Sequence, residues 1–267
     1  MDFSPDLQTA IQAARLAGRA LVRRLNQPRR ISLKGPRDIV TDADFAAQRA
    51  AARCLQHATP DYALLAEEGL HAARLHSSQP TWVLDPLDGT TNYAHGLPGF
   101  SVSLGLVQRG RLLAGVVHDP LRRETFCAER GRGAWLLSGR RQPQLLRVSA
   151  LTSIEGAVVG VDWARDPAAR RRTITLIGRT AARCRTVRAL GSAALGLACV
   201  AAGRLDAYFH MALQPWDAAA GALLVLEAGG RLTSPNGKSW HLHQPAVLAS
   251  NRQLHAELLK HCGMRNR

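Results

Sequence analysis

Trp82-Val83-Leu84-Asp85-Pro86-Leu87-Asp88-Gly89-Thr90-Thr91-Asn92 delivers two carboxylates at the end of an apolar run. Pro86 has no N–H to donate to a ladder, so pairing is predicted to break there and Asp85 and Asp88 leave the strand together. Like charges this close repel unless a cation lies between them, which makes a hard divalent ion such as Mg²⁺ the physical expectation. Gly89, Thr90 and Thr91 suit the start of a helix, whose free amides and dipole would hold a phosphate against that ion. The competing reading is a capped turn, because Asp-Gly is a common turn dipeptide.

Two further acidic sites favour the first reading. Glu67 and Glu68 follow the strand-like Tyr62-Ala63-Leu64-Leu65-Ala66, and Asp217 follows Pro215-Trp216 and opens the apolar run from Ala218 to Leu226. Each stands at the end of an element, where loops and helix termini build sites. Their bland alternatives are a solvated turn before Gly69 and an N-cap.

Around these residues the pattern is layered. Ser4, Pro5 and Asp6 open a helix predicted to end before Pro28, and a second helix starts at Thr41 or Asp42 and runs to about Leu55, with Asp44 in its first turn. Short β-like runs follow at 62–66, 81–84, 100–107, 112–117 and 124–128, predicting an antiparallel sheet. Beyond about Ala150 strands at 157–161, 185–188 and 206–210 alternate with helices at 167–181, 192–202 and 217–228, which is α/β layering. The expected fold class is therefore α/β, with an α+β N-terminal half and an α/β C-terminal half. Without a linker or repeat, any boundary near residue 150 separates packed subdomains, about 1–150 and 151–267.

Composition narrows the function classes. The 267 residues are 46% hydrophobic and 21% charged, which excludes disordered and collagen-like chains. The net charge of +15 favours anionic partners. Basic clusters occur at Arg23, Arg24, Arg29, Arg30 and at Arg170, Arg171, Arg172, while aromatics make up only 5%, so stacking platforms for single strands are scarce. Cys54, Cys127, Cys184, Cys199 and Cys262 form no C-x-x-C pair and point to a reducing cytoplasm. No run approaches the ~18 apolar residues of a membrane span, and the start has no secretory signal pattern.

The chain resembles the inositol monophosphatase family of metal-dependent phosphatases. The resemblance rests on Asp38-Ile39-Val40-Thr41-Asp42-Ala43-Asp44, Ala66-Glu67-Glu68-Gly69, the stretch from Asp85 to Asn92, Gly191-Ser192-Ala193-Ala194 and Trp216-Asp217-Ala218-Ala219-Ala220-Gly221, with Glu227-Ala228-Gly229-Gly230 behind them. It implies a layered αβαβα sugar-phosphatase fold, hydrolysis of a phosphate monoester with two or three Mg²⁺ ions, lithium inhibition and a homodimer. Glu67, Asp85 and the Leu87 carbonyl match one metal site; Asp85, Asp88 and Asp217 match a second, and a third, weaker ion would sit near Glu67. Gly89 and Thr90 match the phosphate-binding amides, and Thr90 with Asp44 matches the pair that orients or deprotonates the attacking water. Gly191, Ser192, Ala193 and His210, together with Asp88 and Asp217, match the region that meets the substrate.

His210 stands where inositol-hydrolysing members usually carry Glu; an imidazole has fewer acceptor sites and can be cationic, which leaves histidinol phosphate, fructose bisphosphate and nucleotide phosphates open as substrates. The bland reading is a half-buried strand residue. Lys34, in Lys34-Gly35-Pro36, resembles a lysine loop that approaches the site in relatives. His241-x-His243 is better explained by a hairpin after Asn236-Gly237 than by zinc. Gly237-Lys238-Ser239 lacks the upstream Gly of a phosphate loop, and Gly131-x-Gly133 lacks the third Gly of a dinucleotide loop. A basic RNA-associated protein retaining this fold is the competing class.

Overall fold

A computed structural model describes residues 2–28, 30–69, 75–139 and 142–261; Arg29 and Cys262 lie outside the described residues. In chain order the first half runs α1 (Pro5–Arg24), β1 (Ile31–Gly35), β2 (Asp38–Thr41), α2 (Asp42–Ala58), β3 (Ala63–Ala66), β4 (Thr81–Asp88), α3 (Thr90–Ala94), β5 (Ser101–Gln108), β6 (Arg111–Asp119), β7 (Glu124–Glu129), β8 (Gly133–Ser138) and β9 (Gln144–Leu145). The second half adds β10 (Val158–Val161), α4 (Pro167–Ala181), β11 (Thr186–Arg188), α5 (Ala193–Ala201), β12 (Ala207–His210), α6 (Pro215–Glu227), β13 (Arg231–Thr233), β14 (Val247–Ser250) and α7 (Arg252–His261).

These elements stack in five layers, α, β, α, β, α. Strands β3 to β9 form a seven-stranded sheet in sequence order. On one face Leu7 and Leu21 of α1 and Ala47 and Leu55 of α2 pack against Trp82, Leu84, Leu104 and Val116. On the other face Val83, Val117 and Phe126 meet Leu197 of α5 and Leu223 of α6, and the same cluster continues to Tyr208 and Val247 of the second sheet. That sheet has the order β11-β10-β12-β14-β13, and its far face is covered by α4 and α7 through Leu176, Leu254 and Leu258. The apolar helices α5 and α6 are thus buried between two sheets, as helices hydrophobic all round must be.

Several expectations need correction. The first sheet is not wholly antiparallel, because β3 runs parallel to β4. Strand β4 extends past Leu84 to Asp88: pairing shifts register between Asp85↔Ser103 and Asp88↔Ser101, and Pro86 sits inside that irregularity, where no ladder N–H is needed. The second sheet is mixed, since β14 runs antiparallel to both β12 and β13. The segment after Asn236-Gly237 makes a tight turn closed by a single bridge between Thr233 and Ser239 rather than a full hairpin. Among the described residues no helix is long and apolar enough to cross a membrane.

Two glycines set how closely α6 lies on the first sheet. A Cβ on Gly105 would come within 2.8 Å of the Ala219 Cβ, and one on Gly115 within 2.9 Å of the Ala220 Cα. The Ser103 hydroxyl then donates to the Trp216 carbonyl at 3.0 Å. This contact fixes the first turn of α6, and with it Asp217, beside the strand end that carries Asp85.

Candidate active site

Three separate elements bring four carboxylates together. Glu67 follows β3, and its N–H bonds the Leu84 carbonyl at 3.1 Å, which holds it beside the end of β4. Asp85 and Asp88 lie on β4, and Asp217 is the third residue of α6. Asp85 is only 2% exposed, and burial together with the charges of Glu67, Asp88 and Asp217 pushes its carboxyl well above the usual range. Burial, then the charge of Asp88, raises Asp217 to about 8. Burial raises Asp88 to about 6 against the opposing bonds from Ser192 and Ala194. The charges of Glu67, Asp88 and Asp217 all act on buried Asp85, so the four groups are near neighbours.

Each carboxylate is also anchored through one oxygen. Asp85 Oδ1 accepts the Leu87 N–H at 2.9 Å, Asp88 Oδ2 accepts the Ser192 hydroxyl at 2.5 Å and the Ala194 N–H at 2.7 Å, and Asp217 Oδ2 accepts the Gln214 N–H at 2.7 Å. Glu67 Oε1 receives the Lys34 ammonium at 2.8 Å. In these positions no three His, Cys, Asp or Glu side chains among the described residues stand ready to chelate an ion. The donor set nevertheless fits Mg²⁺: four hard carboxylates and the neighbouring Leu87 carbonyl, with no thiolate or imidazole among them. The anchoring bonds engage one oxygen of each carboxylate, so the second is not spent on them.

The Thr41 hydroxyl and N–H both bond Asp44 Oδ2, at 2.6 and 2.8 Å, closing a capping box at the start of α2. Asp44 is fully buried, and burial raises it to about 6. Its other oxygen lies 3.2 Å from Thr90 Oγ1, which is also 2.9 Å from the Leu87 carbonyl. Gly89 precedes Thr90 in the left-handed region, φ +96°, and a Cβ there would strike the carbonyls of Gly99 and Gly191 at 2.8 and 2.9 Å. Only glycine fits that crossing. Helix α3 has just five residues, so its amides, not an extended dipole, are what it offers a phosphate.

The residues expected on the substrate side that remain, Gly191, Ser192, Ala193 and His210, are carried by the second half. Ser192 caps α5 through a 3.3 Å bond from the Leu195 N–H, and Ala193 is the helix's first residue. Gly191 donates its N–H to Asp162 Oδ1 at 2.6 Å. Asp162, at the end of β10, also accepts the Tyr208 hydroxyl at 3.0 Å, and burial pushes it to about 7. Sequence reading missed it. The clue was the one that exposed Asp85, an acid directly after an apolar strand, but no second acid or Gly-Thr follows.

His210 is 7% exposed, and burial together with Arg165 lowers it to about 4, which favours the neutral imidazole near pH 7. Its Nδ1 accepts the Ala212 N–H at 3.1 Å. Arg165, another residue absent from the sequence reading, bonds Asp38 at 2.9 Å and comes within 3.8 Å of Glu67. Lys34 does reach the site, bonding Glu68 at 2.7 Å as well as Glu67. His241 and His243 line a separate cavity of about 280 Å³ with His76, whose ring stacks on His243 at 4.7 Å; none of its lining residues belongs to the carboxylate cluster.

Comparison with known proteins agrees with this geometry. The profile of the inositol monophosphatase family matches residues 2–264. The Nus factor SuhB of Pseudomonas aeruginosa is 41% identical, covering 96% of this chain and 95% of its own length. An inositol-1-monophosphatase of Mesorhizobium japonicum is 38% identical, covering 95% and 94%. The crystal structure of the extragenic suppressor protein suhB from Bartonella henselae superposes with a TM-score of 0.90 at 37% identity, over 96% of this chain and 98% of that one.

Proposed function

Because the chain belongs to the inositol monophosphatase family, we propose that it is a Mg²⁺-dependent phosphomonoesterase acting on inositol monophosphate or a related sugar or polyol phosphate. The observation that carries this reading is geometric: the Glu67 N–H bond to the Leu84 carbonyl and the Ser103 bond to the Trp216 carbonyl bring Glu67 and Asp217 beside the strand end that carries Asp85 and Asp88, and a divalent cation would relieve the repulsion among them. Glu67, Asp85 and the Leu87 carbonyl would hold one ion, and Asp85, Asp88 and Asp217 a second, with Asp85 shared; a third, weaker ion would rest on Glu67. When bound, Mg²⁺ neutralises the phosphoryl oxygens and the leaving alkoxide and makes a neighbouring water more acidic.

The remaining work falls to the chain's own groups. Gly89 and Thr90 present backbone amides to the phosphoryl oxygens, positioned before the reaction begins. When its single proton turns to Asp44 rather than to the nearer Leu87 carbonyl, the Thr90 hydroxyl offers a lone pair to the attacking water and fixes the line of attack. Buried Asp44 can hold the proton that Thr90 passes to it. The 191–193 segment and neutral His210 face the alcohol portion. No covalent intermediate is needed.

Phosphate release from a panel of monoesters, run with Mg²⁺, with chelator and with lithium, tests class and substrate together. Turnover that survives chelation refutes the assignment. Preferred hydrolysis of histidinol phosphate, fructose bisphosphate or a nucleotide phosphate keeps the chemistry and reassigns the substrate. Because the residues that would hold the ions belong to one chain, a homodimer in the cytoplasm is compatible with this reading and not required by it.

A second reading is favoured by the +15 charge: association with nucleic acid. It makes no demand on the acidic quartet, so both activities can reside in one chain.

A further inference from the structure

Arg165 stands at the mouth of the site, between its two sides. It lies on the loop that joins β10 to α4, three residues past Asp162, which holds the Gly191 N–H. One guanidinium nitrogen, Nη1, donates to Asp38 Oδ2 at 2.9 Å; the other, Nη2, stops 3.8 Å from Glu67 Oε1, beyond hydrogen-bond reach. Among the described residues the side chain donates no other hydrogen bond, and it is 52% exposed. Arg37, in the turn between β1 and β2, donates to the Arg165 carbonyl at 3.4 Å, so a second, exposed guanidinium enters the same rim from the first half of the chain. The charge of Arg165 also reaches the alcohol side: burial first, then Arg165, lowers His210, and Arg165 opposes the rise that burial and Asp88 impose on Asp217.

On this side the side-chain acceptors are engaged and the donors are not. Asp162 gives Oδ1 to the Gly191 N–H and Oδ2 to the Tyr208 hydroxyl. His210 Nδ1 accepts the Ala212 N–H, so the proton of the neutral ring is on Nε2, a donor. That N–H bonds nothing among the described residues and is not sealed from solvent. The Lys34 ammonium, by contrast, is held by Glu67 and Glu68 at 2.8 and 2.7 Å. A sugar hydroxyl can accept from such donors, but it brings a proton that needs an acceptor in turn. A carboxylate or a phosphate brings acceptors only, and arginine's planar fork fits the oxygens of either. A cationic alcohol portion, such as that of histidinol phosphate, would meet the guanidinium with like charge.

We propose that Arg165, with Arg37 beside it and the His210 Nε2–H, reads a second anionic group on the substrate. This rests on the phosphatase reading above and narrows its substrate class to phosphate monoesters whose alcohol portion carries a carboxylate or a further phosphate. The phosphate to be released goes to the Gly89 and Thr90 amides, and the second anion goes to Arg165. The Asp38 contact occupies Nη1, which leaves Nε and Nη2 for that anion. A residue that only clasped the two halves of the fold would affect every substrate alike, whereas one that reads a second anion separates substrates that differ in that group alone.

The test measures phosphate release from two matched pairs of monoesters in Mg²⁺, for the parent and for Arg165→Gln and Arg165→Lys. Glycerol 2-phosphate is set against 2-phosphoglycerate, which carries a carboxylate in place of a hydroxymethyl group, and fructose 1-phosphate against fructose 1,6-bisphosphate. The parent should favour the member with the second anion in at least one pair, by about tenfold or more in kcat/KM. Arg165→Gln should raise KM for that member about 20-fold, the loss expected for one charged hydrogen bond, with kcat within about twofold. The same variant should leave the member without the second anion within about twofold of the parent. Arg165→Lys, which keeps the charge but not the fork, should recover part of the preference. A preference confined to one pair tells a carboxylate from a phosphate and supports the proposal in either case. No release from any of the four overturns the phosphatase reading itself, and this proposal with it. Equal kcat/KM within both pairs for the parent overturns the second-anion assignment and leaves the phosphatase reading standing. A loss of the same size on all four substrates in Arg165→Gln makes Arg165 a clasp on Asp38 and overturns its part in specificity.

Discussion

The Ser192 hydroxyl donates to Asp88 Oδ2 at 2.5 Å, joining the cap of α5 to the end of β4 across 104 positions of sequence. One oxygen of Asp88 is thereby oriented by the helix that carries the substrate-side residues, while the carboxylate as a whole faces Asp85 and Asp217. The groups proposed for the metal and for the alcohol are thus joined across the two halves of the fold by this bond and by the Ala194 N–H bond to the same oxygen.

Asp88→Asn keeps the acceptor for Ser192 and Ala194 but removes the charge. The expected result is a loss of about 1,000-fold in phosphate release, roughly 4 kcal/mol of transition-state stabilisation, together with loss of the Mg²⁺ dependence. Because burial already raises Asp88 to about 6, the neutral amide costs the fold nothing in the absence of metal. Thermal unfolding in chelator should show the variant at or above the parent's midpoint. Near-normal turnover would remove Asp88 from the metal site.

Asp162→Ala leaves the Gly191 N–H and the buried Tyr208 hydroxyl without their acceptor. Two orphaned buried donors cost about 3 kcal/mol, read as a lowered urea midpoint. The 191–193 segment also loses its tether, so KM should rise several-fold more than kcat falls. A stability loss with unchanged KM would confine Asp162 to a structural role.

How much of this was legible depended on whether the causes are local. Helix α1 was readable because Ser4 supplies its cap and Pro5 its first turn, and the Ser4 hydroxyl does accept the Leu7 N–H at 3.3 Å. Asp85 and Asp88 stood out because a strand, a proline and a Gly-Thr pair mark them in one run. The hairpin of β1 and β2 was missed: β1 is almost wholly exposed and lacks alternation, and its turn uses Arg37 at φ +63° where no Asn-Gly announces it. Strands β13 and β14 have three and four residues, too short for a period to show, and their antiparallel pairing is a tertiary choice. Asp162 and Arg165 gain meaning only from Gly191, Tyr208, Asp38 and Glu67, all at least 25 positions away.

His255 supplies a pH dependence outside the site. It is fully buried, bonded to Thr233 at 2.9 Å and Ser250 at 2.8 Å, and burial lowers it from 6.5 to about 4. The unfolded chain therefore takes up a proton that the native state refuses. The stability tied to the neutral ring is intact above pH 6.5 and falls as the pH drops toward 4, by about 3 kcal/mol in all. His255→Gln, which still offers a donor and an acceptor, should flatten this part of the curve. The measurement is the difference between parent and variant urea midpoints at pH 7 and pH 4.5, and an unchanged difference would mean that His255 protonates as readily in the fold as outside it.

On the proposed assignment of Glu67 as a metal ligand, Lys34 would compete with the ion for that carboxylate. Its ammonium lies 2.8 Å from Glu67 and 2.7 Å from Glu68, and those carboxylates raise its pKa, so it stays charged throughout the working range. The side chain comes from β1, an exposed strand, and is 26% exposed, which makes the pair a screened one worth about 1 kcal/mol. A divalent ion approaching Glu67 must displace that ammonium or share the carboxylate with it. Lys34→Ala removes the competitor, so Mg²⁺ measured by titration calorimetry should bind about fivefold more tightly. Lys34→Arg keeps the charge and should hold the parent's affinity. The distance from Arg165 to Glu67 is 3.8 Å, too long to replace the lost contact without movement. Weaker Mg²⁺ binding by the alanine variant would reverse the assignment, making Lys34 a group that holds Glu67 in its ligating position.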